Sequence, residues 1–184
     1  VADDGCGIAA EDLPLALKSH ATSKIRDAED LHTVQSLGFR GEALASIASV
    51  SRVRIQTRVA GETGFEIETE GGKTSEVRPS SAPFGTRIEV FDLFGQVPAR
   101  RKFLKADSTE LGAIQDVVCR MALCAPQTRF VLKSSGKTPL DLPAGVPLSH
   151  RAQAVFGPES SGQLLDLDWQ GDGIGFRGLL GKEN

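Results

Sequence analysis

The feature that most constrains this fold is a change in the spacing of apolar residues at Arg52. Before that point apolar residues recur at the three- to four-residue intervals of short helices, and after it the stretch RVRIQTRV alternates strictly. The alternation predicts a strand with Val53, Ile55 and Thr57 on one face and the arginine and glutamine side chains on the other. Helices followed by antiparallel strands indicate an α+β fold of two layers.

The remaining elements are predicted from turn residues and periodicity. Pro14 is tolerated only in a first helical turn, so a helix begins near Asp12, and a hairpin turns at Gly71–Gly72. The other predicted helices cover residues 27–35, 41–49, 109–123 and 148–156, and one more starts at residue 98. Further strands are predicted at residues 86–91, 163–169 and 174–180, and two short strands flank residues 135–136. Residues 143–147 have linker composition, so we expect a first domain over 1–143 and the start of a second over 147–184.

Composition excludes several classes of protein. A chain with 40% hydrophobic and 24% charged residues is typical of a globular protein, and we expect neither a membrane span nor a signal peptide. Three cysteines without paired spacing and three scattered histidines argue against disulfides and structural zinc and favour a reducing cytosol. Because the net charge is -3, contact with nucleic acid would require a local basic patch.

The stretch DDGCGI, residues 3–8, places two carboxylates beside two glycines. A tight turn accounts for the glycines and leaves the acids unexplained, whereas a metal or nucleotide site would use both. The Rossmann pattern G-x-G-x-x-G/A is matched at Gly5 and at Gly173, but the first match lacks a preceding apolar strand and the second lacks a following helix. No P-loop pattern is present. Rossmann and P-loop sites are therefore both disfavoured.

A second pair of glycines marks a candidate anion site. In LGFRGEAL, Gly38 and Gly41 stand directly before a helix of small residues. Such an arrangement turns backbone N–H groups and the positive end of the helix dipole toward a phosphate. A helix–helix turn with a capping glycine accounts for the same residues equally well. The motif alone leaves both interpretations open.

Five segments taken together resemble a known family. DDGCGI, HATSKI, GFRGEALASI, GTRIEVFDLF and PARRKFLK occur in the order and with the spacing of the N-terminal ATPase of the MutL mismatch-repair proteins, in the wider group that includes gyrase-type topoisomerases and sensor histidine kinases. The resemblance covers nearly the whole chain. It implies a two-layer α/β sandwich of the gyrase/MutL ATPase type with a mixed, mainly antiparallel sheet, followed by part of a second α/β domain of ribosomal-S5-like type.

The resemblance assigns nucleotide-binding residues. Asp3 would accept the adenine amino group, which suits an ionised carboxylate because it only accepts hydrogen bonds. Gly5 and Gly7 would let the main chain pass close under the base, while Asp4, where the family more often has Asn, is expected to brace the turn. The other implied ATP-binding residues are Thr22, Ser23 and Lys24 near the phosphates and ribose, the lid residues Gly38, Phe39, Arg40, Gly41 and Glu42, Leu44 beside the nucleotide, and Thr86 near adenine.

Simpler structural roles are the alternatives for several of these residues. Thr22 and Ser23 have the composition of a helix cap, and Thr86 fits an ordinary strand position. For Arg40 and Glu42 we expect an ion pair that orders the lid rather than direct contact with the nucleotide.

No catalytic residue is expected among these 184 residues. The resemblance places the glutamate general base and the asparagine that holds Mg²⁺ on a helix before Val1, and a lysine for the γ-phosphate beyond Asn184. Phosphoryl transfer depends on positioned water, metal and charge neutralisation. We therefore expect the full-length protein to be an ATPase that uses ATP and Mg²⁺, and these residues alone to bind ATP weakly and hydrolyse it negligibly.

The segment PARRKFLK is the candidate DNA contact. Arg100, Arg101, Lys102 and Lys105 are suited to binding phosphates without reading sequence, and a solvated helix face is the equal alternative. The flanking FGQVPARR departs from the family's usual F-x-N-T-P-A-R.

The resemblance also implies partners and a location. ATP-driven ordering of the lid would dimerise the full-length protein and couple the mismatch-recognition protein MutS to a downstream nuclease or helicase, in a bacterial cytoplasm close to the nucleoid. These 184 residues alone are expected to be monomeric. Two other functions stay open: a nucleotide-free structural or DNA-contacting module that uses residues 98–105, and another branch of the ATPase group, such as a topoisomerase subunit or a protein kinase, which PARRKFL disfavours.

Overall fold

The computed structural model of the chain describes residues 1–21, 41–160 and 162–182. The chain forms two compact units, Val1–Leu104 and Lys105–Asn184. The predicted boundary at residues 143–147 lies within the second unit, and the division into an ATPase domain and a further domain stays a prediction. The helix predicted at residues 27–35 lies outside the described residues.

The first unit is built on a six-stranded sheet in which the strand pairings are antiparallel. Its strands are β1 (Ala2–Asp3), β2 (Arg52–Arg58), β3 (Gly64–Glu70), β4 (Lys73–Thr74), β5 (Arg78–Ser80) and β6 (Gly85–Phe91), and its helices are α1 (Leu13–Ala16), α2 (Ala43–Ala48) and α3 (Pro98–Arg101). The strand order is β1-β6-β2-β3-β4, and β5 also pairs with β3. The predicted α+β fold with a mainly antiparallel sheet is confirmed.

The core lies on the sheet face that the alternation predicts to be buried. Val53 and Ile55 on β2 and Ile67 on β3 are at most 1% exposed, and they pack with Leu13 of α1 and Ala48 of α2. α1 begins as predicted, after an N-cap at residue 12 and with a proline in its first turn. The two helices therefore form a second layer over this face of the sheet.

The opposite face of the sheet carries charged side chains that pair with one another. Arg54 Nε donates to Glu68 Oε1 at 2.6 Å, and Arg78 Nε donates to Glu66 Oε1 at 2.7 Å. Gln56 also donates to Glu66, at 2.9 Å. The hydrogen bonds from Gln56 and Arg78 hold the pKa of the Glu66 carboxyl below its usual value. The period of two in the sequence thus separates an apolar face from an ion-paired one.

The second unit contains two helices and two hairpins. Its elements are α4 (Asp107–Cys124), β7 (Phe130–Ser134), β8 (Lys137–Leu142), α5 (Leu148–Phe156), a 3₁₀ turn (Pro158–Ser160), β9 (Leu164–Gly171) and β10 (Ile174–Gly181). β7 pairs with β8 and β9 pairs with β10, both antiparallel. The two α-helices and four strands match elements predicted from the sequence, and α5 has the predicted bounds. The 3₁₀ turn has no counterpart among the predicted elements.

An arginine lies in the interior of the second unit. Arg151 of α5 is 1% exposed. Its guanidinium donates to the backbone carbonyl oxygens of Pro126 at 2.9 Å, Thr128 at 3.1 Å and Ala122 at 3.3 Å, and to that of Pro143. Ala122 belongs to the last turn of α4, where carbonyls lack helical partners and carry partial negative charge. The buried cation is therefore balanced by oriented carbonyl dipoles, and it joins α5 to the end of α4 and to segment 143–147.

The structure also shows what periodicity misses. β1 and β5 are two and three residues long, too short to carry a pattern.

Within the described ranges, no helix has both the length and the apolar character needed to cross a bilayer.

Candidate nucleotide site

Three polar residues form one row across neighbouring strands. Asp3 on β1 lies directly opposite Thr86 on β6, and Thr86 lies directly opposite Thr57 on β2. Directly paired residues point to the same face of a sheet. This face is that of the core, because Thr57 lies on the same side of β2 as buried Val53 and Ile55. The row runs from exposed Asp3 through half-buried Thr86 to Thr57, which is 1% exposed.

The Asp3 carboxylate braces the start of the DDGCGI stretch. Its Oδ1 accepts the backbone N–H of Gly5 at 2.9 Å and the backbone N–H of Thr86 at 3.2 Å. Oδ2 accepts no hydrogen bond from the described residues, so it keeps its full acceptor capacity for a donor in solvent or in a ligand. The bracing of the turn that we expected of Asp4 is therefore provided by Asp3, and Asp4 is exposed.

The Thr57 hydroxyl holds the three segments of the site together. Its Oγ1 accepts the backbone N–H of Ile8 at 2.8 Å, at the end of the DDGCGI stretch. The same oxygen lies 3.0 Å from the carbonyl oxygen of Gly85 and 3.1 Å from Oγ1 of Thr86. A buried hydroxyl without partners is costly, and this one has a partner on each side. Thr57 therefore fixes residue 8 to the start of β6.

Two glycines are required where backbones approach each other in this site. Gly85 has a φ of +92°, and a Cβ there would lie 2.1 Å from the carbonyl oxygen of Asp3. Gly7 has a φ of +79°, and a Cβ there would lie 2.5 Å from the carbonyl oxygen of Arg58. Both the left-handed backbone and the lack of space exclude a side chain at these positions. Gly7 thus packs the DDGCGI stretch against the end of β2, and its role beneath a base stays a prediction.

The predicted lid residues are only partly described. Thr22, Ser23, Lys24, Gly38, Phe39 and Arg40 lie outside the described residues. The backbone N–H of His20 donates to the carbonyl of Gly41 at 3.0 Å, and His20 Nδ1 lies 3.3 Å from Oε1 of Glu42. Residues 20 and 41 are therefore held together, and the expected ion pair of Arg40 and Glu42 stays a prediction because residue 40 lies outside the described residues. Leu44 is half-buried and packs against the core cluster.

The predicted DNA-binding residues are exposed. Arg100 and Arg101 lie in α3 and Lys102 follows it, while Lys105 belongs to the second unit. In the described parts of the chain none of these four side chains forms an ion pair. The neighbouring Phe103 is 83% exposed. Unpaired cations beside an exposed aromatic ring suit a nucleic-acid strand.

The described residues do not fit a resident metal ion. Across residues 1–21, 41–160 and 162–182, no group of three or more His, Cys, Asp or Glu side chains is placed to hold one. Asp3 and Asp4 are adjacent carboxylates, but Asp3 uses one oxygen to brace the backbone. We therefore assign no metal ligand among these residues.

Sequence reasoning misses Thr57 and Gly85 as parts of the site. The alternation places Thr57 on the buried face, and a hydroxyl at an otherwise aliphatic buried position is the signal that could have identified it, because it needs a partner there. Gly85 directly precedes Thr86 in GTRIEVF, but only the pairing of β1 with β6 reveals the backbone that it accommodates.

The chain is similar to known proteins in both sequence and fold. No family model matches the chain. The chain is 48% identical to DNA mismatch repair protein MutL of Pseudomonas putida (strain GB-1), over 98% of this chain and 29% of that protein. It is 47% identical to DNA mismatch repair protein MutL of Anaeromyxobacter dehalogenans (strain 2CP-1), over 98% of this chain and 30% of that protein.

A solved structure gives the same result at the level of the fold. The Aquifex aeolicus MutL ATPase domain complexed with ADP matches 100% of this chain and 64% of that chain, with a TM-score of 0.69 and 32% sequence identity. The present chain spans less than a third of the length of the curated relatives it matches.

Proposed function

This chain belongs to the MutL family of DNA mismatch repair proteins, and on that premise we propose that its first unit binds ATP as part of a mismatch-repair ATPase. The observation that carries the proposal is the row of Asp3, Thr86 and Thr57. It sets a carboxylate with a free oxygen beside a threonine hydroxyl at the exposed end of the core face. The likeness to a MutL ATPase domain complexed with ADP supports a nucleotide as the ligand.

In this proposal Asp3 accepts the adenine amino group through Oδ2. Its other oxygen is occupied by the N–H groups of Gly5 and Thr86, which fix the carboxylate before the ligand arrives. A fixed acceptor loses little freedom on binding, so more of the hydrogen-bond energy contributes to affinity. A hydrogen bond to a charged group contributes about 1.5–3 kcal/mol.

The lid residues contribute in this proposal by closing over the phosphates. The contact of His20 with Gly41 and Glu42 supports this, because it holds the described residues on either side of the segment 22–40 together. ATP would then shift the population of lid conformations, as in other segments that order on binding a nucleotide. Lid ordering would drive dimerisation of the full-length protein and couple MutS to a downstream nuclease or helicase.

Hydrolysis is proposed for the full-length protein, with Mg²⁺ held outside the described residues. Mg²⁺ would neutralise charge on the phosphates, and among the residues that the structure describes no three or more His, Cys, Asp or Glu side chains are grouped to hold a metal ion. We propose that the 184 residues alone turn over ATP negligibly. ATP hydrolysis by these residues at the rate of the full-length protein would contradict this statement.

The experiment that tests nucleotide binding compares two neighbouring acids. Asp3→Asn replaces Oδ2 with an amide donor that opposes the adenine amino group, and it should weaken ADP binding about tenfold or more, measured by titration calorimetry. Asp4→Asn removes the same charge one residue away, where the side chain is exposed, and it should leave the affinity almost unchanged. Equal losses in both variants would point to a general charge effect and contradict the proposed role of Asp3.

DNA binding is proposed for Arg100, Arg101 and Lys102, because all three are exposed and unpaired among the described residues. Each phosphate contact makes the dependence of log K on log salt steeper by roughly 0.7–0.9. Lys102→Glu should reduce that slope, measured by fluorescence anisotropy with a labelled oligonucleotide. Lys73→Glu makes the same charge change on exposed β4 and should leave the slope unchanged; a slope that falls equally in both variants would contradict the assignment.

A further inference from the structure

The Thr57 hydroxyl has three hydrogen-bonding neighbours, which is the number that one hydroxyl can serve. One O–H group donates one hydrogen bond and accepts two. Its three neighbours are the N–H of Ile8 at 2.8 Å, the carbonyl oxygen of Gly85 at 3.0 Å and the hydroxyl of Thr86 at 3.1 Å. Because Thr57 is 1% exposed, water does not compete for these partners, and the chemistry of the neighbours decides the direction of each bond.

Only one assignment of protons satisfies all three contacts. The N–H of Ile8 can only donate, so Thr57 accepts there. The carbonyl of Gly85 can only accept, so the single proton of Thr57 is donated to it. The remaining contact must then be donated by the hydroxyl of Thr86 to Thr57. The proton of the Thr86 hydroxyl therefore points inward, away from the exposed end of the row.

The same bonds leave only acceptors at the exposed end of the row. The hydroxyl oxygen of Thr86 keeps a lone pair, and its backbone N–H is already donated to Asp3. Asp3 is itself acceptor-only when ionised. A ligand group at this place must therefore be a hydrogen-bond donor, and a carbonyl oxygen there would face two acceptors without a proton between them.

We propose that Thr57 is a positioning residue that selects the base of the nucleotide by fixing the proton of Thr86. The site then prefers a purine with an amino group at C6 over one with a carbonyl group at C6. This inference rests on the proposed binding of ATP and adds to it the residue that sets base specificity. Thr57 acts through Thr86 and makes no contact of its own with the base.

Removal of the Thr57 hydroxyl should reverse this preference in part. In Thr57→Val the proton of Thr86 loses its acceptor, so the hydroxyl can rotate and donate outward to a carbonyl oxygen. Thr57→Ser keeps the hydroxyl and all three of its bonds. Thr57→Val therefore loses the contacts to Ile8, Gly85 and Thr86, and the loss of the last one frees the proton of Thr86.

The test compares ADP with inosine diphosphate, whose base carries a carbonyl group in place of the amino group. Dissociation constants are measured by titration calorimetry for the chain and its variants. The chain and Thr57→Ser should prefer ADP by about tenfold or more, and Thr57→Val should reduce that ratio several-fold. Thr69→Val is the matched control, because Thr69 is a second buried threonine, at 4% exposure, paired with Val53 two rows away; it should keep the ratio.

Each outcome separates the two proposals. If the chain binds neither nucleotide, the proposed ATP site fails and the inference fails with it. If ADP binds but Thr57→Val keeps the full preference, or Thr57→Ser loses it equally, only the inference is overturned. If Thr57→Val does not fold by circular dichroism, Thr86→Val decides, because it leaves the bonds of Thr57 to Ile8 and Gly85 in place; an unchanged ratio in that variant would overturn the inference.

Discussion

Replacement of Arg151 should destabilise the second unit more than any surface substitution. The guanidinium is 1% exposed and donates to the carbonyl oxygens of Ala122, Pro126, Thr128 and Pro143. In Arg151→Met the aliphatic part of the side chain is largely kept, whereas the carbonyl oxygens of Ala122, Thr128 and Pro143 lose this donor. The carbonyl of Pro126 still accepts the backbone N–H of Gly145, at 3.0 Å. The perturbation therefore isolates the hydrogen bonds that join the end of α4, segment 143–147 and α5.

The expected magnitude follows from two opposing terms. Each buried carbonyl left without a partner costs about 1–3 kcal/mol, so the three carbonyls that lose this donor would cost roughly 3–9 kcal/mol if none reached water. The substitution also removes the desolvation cost of a buried cation, which amounts to several kcal/mol. We expect a net loss of about 3–5 kcal/mol, which is a large part of the 5–15 kcal/mol typical of a whole domain.

The chain contains one tryptophan, Trp169, and it lies on β9 of the second unit. Urea unfolding followed by its fluorescence therefore reports on the unit that holds Arg151. Arg151→Met should lower the unfolding midpoint strongly, and Arg151→Lys should fall between it and the parent chain, because an ammonium lacks the planar fork of donors. Arg120→Met, at an exposed position of α4, is the control and should change little. A midpoint for Arg151→Met equal to that of the control would refute the reasoning.

Two further predictions concern the first unit. Gln56 and Arg78 lower the pKa of Glu66, so its contribution to stability is complete above the usual value of 4.5 and is lost as the pH falls toward the folded pKa. Glu66→Gln should therefore flatten the fall of the unfolding midpoint between about pH 6 and pH 3; an equally steep fall would contradict it. Gly85→Ala places a Cβ 2.1 Å from a carbonyl oxygen, and it should lower the free energy of unfolding by about 1–3 kcal/mol and weaken ADP binding. Gly61 also has a positive φ, of +78°, but a Cβ there would meet no atom within 4 Å. Gly61→Ala should therefore lower the free energy of unfolding less than Gly85→Ala, measured by calorimetric melting.

Much of the local structure is predictable because its causes are local. The hairpin at Gly71–Gly72 joins β3 and β4 with residues 70 and 73 directly paired, since two glycines suit the two-residue turn between antiparallel strands. α5 has its predicted bounds, Leu148–Phe156, because a proline precedes it and a glycine ends it. The buried face of β2 follows from the period of two alone.

Other features depend on which segments meet. β1 is two residues long and becomes a strand only because β6 supplies its hydrogen bonds, so no local pattern predicts it. Arg151 looks like an ordinary polar residue of an amphipathic helix in the sequence. Its burial depends on four carbonyl groups from residues 122–143 that converge on it only in the folded unit.

The candidate site shows the same division most clearly. The sequence by itself determines that a carboxylate and glycines stand together at residues 3–7, that Thr57 faces the core and that Thr86 lies on a strand, because these follow from residue type and alternation. Only the tertiary structure decides that Asp3, Thr86 and Thr57 form one row and that Thr57 accepts from Ile8. The physical reason is that the direction of a hydrogen bond depends on every partner of a group at once, and those partners come from three separate segments of the chain.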